Sequence, residues 1–163
     1  MDAIDLLTQQ HDEVEDLFDQ IESSEGRERE PIARVLADKL AAHAMIEEKL
    51  FYPAVYDTDD EEERERYTEA MDEHRAMKDL ADELVEMAGD DTGFGAKLGN
   101  LRDLVEEHVA EEESVLFDAA RAQLDERELE SLGDEMEKQF DREIEQEPRV
   151  KVPRQPKRAA RPE

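Results

Sequence analysis

The 163-residue sequence contains no cysteine and no tryptophan. Without thiols there can be no disulfide, no thiolate nucleophile and no zinc–cysteine site. Aromatic residues make up only 5% of the chain. Nowhere do about 18 apolar residues run together, so no transmembrane helix is expected. The opening stretch, MDAIDLLTQQHDEVED, is acidic and lacks the apolar centre of a secretory signal. Basic residues are scarce as well: 21 lysines and arginines face 49 acids, for a net charge of −28. Phosphate recognition needs a basic surface, so the body of the chain is expected to bind no nucleic acid. An acidic surface of this kind keeps a protein soluble and repels anions. It also gathers cations loosely, so acidity alone does not define a metal site. Together these absences predict a soluble, cytoplasmic protein that does not engage membranes.

What is present is periodicity. Ile4, Leu7, Val14, Leu17, Phe18 and Ile21 recur at helical intervals, which predicts a first helix over residues 2–23. Pro31 suits the first turn of a second helix, with Val35, Leu36, Leu40, Leu50 and Phe51 on its inner face and Pro53 ending or kinking it. A third helix opens on DTDDEEERER, its acids placed where the helix dipole favours them, and turns Tyr67, Ala70, Met71, Met77, Leu80, Leu84 and Met87 inward. GDDTGFG, residues 89–95, reads as a loop. A fourth helix is expected over about 96–120 and a shorter fifth over about 125–144. Strand signals are nearly absent. The pattern predicts an all-α, up-down four-helix bundle over residues 1–146, with a short fifth C-terminal helix. Residues 147–163 hold four of the six prolines, and from Arg149 onward there are six basic side chains and one acid. This end reads as a disordered basic tail of charge +5, leaving −33 on the remainder.

The chain has four histidines, His11, His43, His74 and His108, one on each main helix. The first pair is 32 positions apart and the second 34, and the second and fourth histidines each carry a glutamate at +4, Glu47 and Glu112. The flanks repeat too. Val14, Leu17 and Ile21 align with Met77, Leu80 and Leu84, while Leu36, Leu40, Leu50 and Phe51 align with Leu101, Val105, Val115 and Leu116. These offsets share a helical face with the histidine, so all four imidazoles are predicted to point inward.

One histidine on an apolar face is usually a packed core residue. One acid at +4 means little among 49 acids. The joint pattern is more specific. An ionised glutamate in a core is costly unless compensated, and no inward lysine or arginine is evident beside Glu47 or Glu112. A metal offers that compensation. Four imidazoles with two carboxylates suit iron or manganese better than zinc alone. Six protein ligands are too many for one ion with an open position and suit two ions bridged by the carboxylates.

Ferritin-like bundles place an acid three residues before the histidine; here those positions are Thr8, Leu40, Met71 and Val105. The order His, His-x-x-x-Glu, His, His-x-x-x-Glu instead resembles the hemerythrin-like family, the HHE cation-binding domain, over roughly residues 1–145. That resemblance implies a non-haem centre of two iron ions with a bridging oxygen, manganese or zinc being possible substitutes. Glu47 and Glu112 would bridge, His11 and His43 would hold one ion, and His74 and His108 the other. It also implies O2, peroxide or NO as the small ligand, in sensing, scavenging or storage. In one respect the chain departs from oxygen carriers, which place a further histidine four residues after the third: here that residue is Lys78. A more open iron is expected there, with Glu15 and Glu73 as nearby acids, and simple oxygen carriage is disfavoured. Two alternatives remain at this level, a di-iron peroxidase or ferroxidase and a metal-free helical interaction module.

Overall fold

The computed structural model describes residues 1–146 and 148, and among them the chain forms helices and no strand. Helix α1 is Ala3–Ser23. Helix α2 runs as Arg29–Ile46, opens into a π turn over Glu47–Phe51 and closes as Tyr52–Val55. Helix α3 is Glu61–Glu86. Helix α4 repeats the plan of α2, with Phe94–Glu111, a π turn over Glu112–Leu116 and a last segment Phe117–Gln123. Helix α5 is Glu126–Glu145.

Acids start three of these helices for a local reason. The carboxylates of Asp2, Asp60 and Asp125 accept the orphan backbone N–H groups of Asp5, Glu63 and Glu128. Glu128 also reaches back to the Asp125 N–H, completing a capping box. Packing is consecutive: α1 lies on α2, α2 on α3, α3 on α4, and α4 again on α1. This closes an up-down bundle, and α5 lies across α1 and α2.

The core is split into two apolar layers. One is built from residues such as Phe18, Leu36, Leu84, Phe94 and Leu101. The other contains Leu7, Ile46, Phe51, Phe117 and Met136. On each of α1 to α4 the histidine falls between the stretches that feed these two layers. The bundle therefore holds a polar layer between two greasy ones.

Helix α5, at 20 residues, is the shortest of the five and close to its expected bounds; its fully buried Met136 anchors it to the second layer. Several expectations change. Val35 and Val115, placed inward by their spacing, are 46% and 44% exposed. Val35 stands one residue, about 100° of helix, away from the buried Leu36. Val115 lies inside the π turn, whose wider winding sends Leu116 and Phe117 inward instead. Helix α2 also continues past Pro53 to Val55. Proline lacks an N–H, but it stands where the π turn has already shifted the hydrogen-bond ladder. The basic segment expected over 147–163 lies outside the described residues, apart from Pro148.

Candidate metal centre

The polar layer contains His11, His43, His74, His108, Glu47 and Glu112, all buried. Fully burying one large apolar side chain contributes roughly 1.5–3 kcal/mol. A buried carboxylate without compensation costs more than one such residue returns, so the arrangement of partners decides whether this layer is tolerable.

Those six residues form two groups that share both carboxylates: His11, His43, Glu47 and Glu112, and Glu47, His74, His108 and Glu112. Within each group one ligand atom per residue lies within 4.8 Å of every other. In the first group His11 Nε2 stands 3.2 Å from Glu112 Oε1, and His43 Nε2 stands 3.3 Å from Glu47 Oε2. None of these four buried atoms has a hydrogen-bond partner. Two imidazole nitrogens and two carboxylate oxygens facing one another without hydrogen bonds are the donor set a cation would satisfy. In the second group His74 Nε2 is 2.9 Å from Glu47 Oε1, and His108 Nε2 is 3.1 Å from Glu112 Oε2.

Each histidine is held from behind through Nδ1. The acceptors are Glu113 for His11 at 2.8 Å, Gln10 for His43 at 2.7 Å, Glu48 for His74 at 2.7 Å and Glu73 for His108 at 2.6 Å. An Nδ1–H donated outward leaves the Nε2 lone pair for the centre and raises its basicity. These partners obey the internal repeat. Gln10 and Glu73 each precede the first histidine of their half, and Glu48 and Glu113 each follow the buried glutamate of theirs, Glu47 or Glu112. Sequence spacing contained that signal, and extending the aligned repeat by one position on each side would have found it.

Tyr52 was missed for a different reason. In an α-helix the fifth residue after Glu47 turns away from it. Here the Tyr52 N–H bonds the Glu47 carbonyl, five residues back, across a π turn. The ring is thereby brought onto the glutamate's face. The Tyr52 hydroxyl donates to Glu112 Oε2 at 2.5 Å and lies 3.2 Å from Glu47 Oε1 and 3.1 Å from His74 Nε2. At the equivalent place in the other half, Phe117 bonds back to the Glu112 carbonyl in the same way and lies parallel to the His11 ring.

The electrostatics follow from this packing. Burial pushes the Glu47 carboxyl up, but the imidazoles of His43, His108 and His74 outweigh it and hold the group well below the usual carboxylate range. Burial and the charge of Glu47 work against Glu112, yet His108 and His11 hold it low. Burial opposes charge on His108, but Glu112, Glu47 and Glu73 push its pKa up to about 12. His11 and His74 are likewise raised against burial, His11 by Glu112, Glu47 and Glu113, and His74 by Glu47 and Glu48. Burial and then the charges of Glu47 and Glu112 push the Tyr52 phenol far up, so it stays a proton donor.

The remaining candidates sit elsewhere. Glu15 turns outward to Arg102 at 2.6 Å, where Asp19, Glu22 and Glu106 also bind that guanidinium. Glu73 serves His108 from behind. Lys78 reaches Glu48 Oε2 at 3.6 Å rather than the imidazoles. Its side chain also edges a small apolar cavity lined by Val14, Leu40, Met77, Val105 and Val109 and by His11, His43, His74 and His108. A second cleft, lined in part by Val55, Tyr56, Ala70 and Val115, reaches His108 and Glu112 from the side of α3 and α4.

Comparison with known proteins agrees with the geometry. The family model for the hemerythrin HHE cation binding domain matches residues 2–120. The chain therefore belongs to the hemerythrin HHE cation-binding family. It is similar to a hemerythrin HHE cation binding domain-containing protein from Mycobacterium kansasii, a homolog of Rv2633c. That crystal structure superposes with a TM-score of 0.77 at 23% identity, over 90% of this chain and 89% of the other. A protein named DNA nickase from Nostoc sp. strain PCC 7120 is 30% identical over 137 residues, which are 83% of this chain. The chain spans 38% of that relative's length.

Proposed function

We propose that the chain binds two iron ions between α1, α2, α3 and α4, with Glu47 and Glu112 shared by both, and that this centre engages O2, peroxide or nitric oxide. His11 and His43 would hold one ion, His74 and His108 the other. The observation that carries this reading is the set of four buried, inward-facing ligand atoms without hydrogen bonds, on residues whose other side-chain nitrogen or oxygen atom is satisfied. A metal-free interaction module gives no reason to bury such a set. Iron of this kind supplies redox chemistry and a binding place for small oxygen or nitrogen ligands.

The protein's own residues set the rest. The Nδ1 acceptors orient the imidazoles, and the two apolar layers exclude bulk water. The apolar cavity against the four histidines suits a small uncharged ligand. The acidic surface argues against direct contact with DNA phosphate, so the nicking named for the longer relative is not carried over. A cytoplasmic setting belongs to the same reading. Within this class, Tyr52 contributes a buried phenol kept protonated beside both carboxylates, which can hold an acceptor by a hydrogen bond from Oη. The test is iron analysis with an absorption spectrum of protein produced with ample iron. About two irons per chain with near-ultraviolet charge-transfer bands are expected for a carboxylate- and imidazole-bound pair. Less than about half an iron per chain would sink the reading.

A further inference from the structure

The two halves of the centre differ at one matched position. His43 and His108 are equivalent in the repeat, and each donates Nδ1–H to the residue just before the first histidine of its half. For His108 that residue is Glu73, a carboxylate at 2.6 Å; for His43 it is Gln10, a neutral amide at 2.7 Å. The other two histidines, His11 and His74, both donate to carboxylates, Glu113 and Glu48. Lys78 draws on Glu48 from 3.6 Å and tempers its pull on His74. Among the described residues no lysine or arginine is within ion-pairing distance of Glu73, whose one ion-pair partner there is His108 itself. A second matched position adds to the difference. Tyr52 brings a hydroxyl to within 3.1 Å of His74 Nε2 and 3.3 Å of His108 Nε2, where Phe117 offers His11 only a ring face.

A carboxylate behind a metal-bound imidazole raises its basicity and tightens the bond, and an amide does so much less. We infer that Gln10 makes the two cation positions unequal: the ion between His11 and His43 is the weakly held, exchangeable one, and the ion between His74 and His108 is retained. Gln10 is a positioning residue here, acting on the ion only through His43. This rests on the proposed two-ion centre.

Ferrous iron is titrated anaerobically into the metal-free protein against a chelator buffer, and bound iron is counted at each free concentration. Two ions sharing two carboxylates repel each other, so two binding steps in the wild type would not decide the matter; the variants do. Gln10→Glu should tighten the weaker step about tenfold and leave the tighter step in place. Glu73→Gln, a near-isosteric change on a partly exposed side chain, should weaken the tighter step about tenfold. It keeps the test intact if the added buried charge of Gln10→Glu impairs folding, which circular dichroism reports. A tighter step that strengthens on Gln10→Glu, or a weaker step that does not move, overturns the inference while two irons still bind. So does a tighter step that Glu73→Gln leaves unchanged. Saturation below about two irons per chain in the wild type overturns the two-ion centre itself, and this inference with it.

Discussion

Tyr52 and Phe117 occupy the same place in the two halves of the chain, five residues after Glu47 and Glu112, and each is brought inward by a π turn. Tyr52 stacks against His74 with ring centroids 5.5 Å apart, and Phe117 lies against His11 at 6.0 Å. Only the tyrosine carries a hydroxyl into the polar layer. Removing that group tests what it does. In the metal-free protein Tyr52→Phe leaves Glu112 Oε2 without its 2.5 Å donor. The urea midpoint should fall by the equivalent of about 1–3 kcal/mol, the cost of stripping a partner from a buried charged acceptor. An unchanged midpoint would mean the phenol contributes nothing there.

Shared carboxylates make an unequal set of losses. Glu47 is fully buried and belongs to both groups of ligands, whereas His43 belongs to one. Glu47→Ala should therefore abolish binding of both ions, while His43→Ala should leave about one iron per chain. Iron counting on the purified variants reads this out, and equal loss in the two would contradict the sharing.

Metal should also be coupled to folding. Without bound ions, Glu47 and Glu112 are compensated by imidazolium protons and the Tyr52 hydroxyl. The iron-loaded protein should melt well above the chelated one at neutral pH. Superimposable melting curves would speak against a centre built into the core.

The pH dependence of the metal-free protein has a definite sign. The His108 pKa is raised from 6.5 to about 12, so its stabilising contribution is complete below 6.5 and is lost as pH rises toward the folded value. His11 and His74 shift in the same direction. Glu47 is shifted down, so its contribution is present above 4.5 and is lost only as pH falls through its lowered value. Urea stability should peak between these limits and decline from about pH 6.5 to about pH 9. A rise over that interval would show that the imidazoles are not held protonated.

Helix α5 gives a test of the fold away from the centre. A Cβ on Gly133 would fall 2.4 Å from the Met1 carbonyl oxygen and 2.7 Å from the Ala3 amide nitrogen. Both neighbours are backbone and cannot swing aside. Gly133→Ala should cost about 1–3 kcal/mol by overpacking this contact, seen as a lower thermal midpoint with the iron count unchanged. A neutral outcome would mean that α5 is not seated against the start of α1.

Much of this architecture can be read from residue spacing, because helical periodicity and the fourfold recurrence of histidine depend on composition along one face. His11, His43, His74, His108, Glu47 and Glu112 stand in the sequence at α-helical offsets, and the fold brings them within one layer. What spacing could not supply is the change of winding after each glutamate. An α-helical count carries Val115 inward and Tyr52 outward; the π turns reverse both. Lys78 shows the same limit. Its offset from His74 placed it beside that imidazole, but its ammonium stands 3.6 Å from Glu48 Oε2, and the hydroxyl 3.1 Å from His74 Nε2 is that of Tyr52, on another helix.

The most direct measurement is anomalous scattering at the iron edge from crystals of the iron-loaded protein. The account predicts two peaks per chain inside the bundle, one beside His11 and His43 and one beside His74 and His108, with Glu47 and Glu112 touching both. A single interior peak, or iron found only among the surface acids, would contradict it.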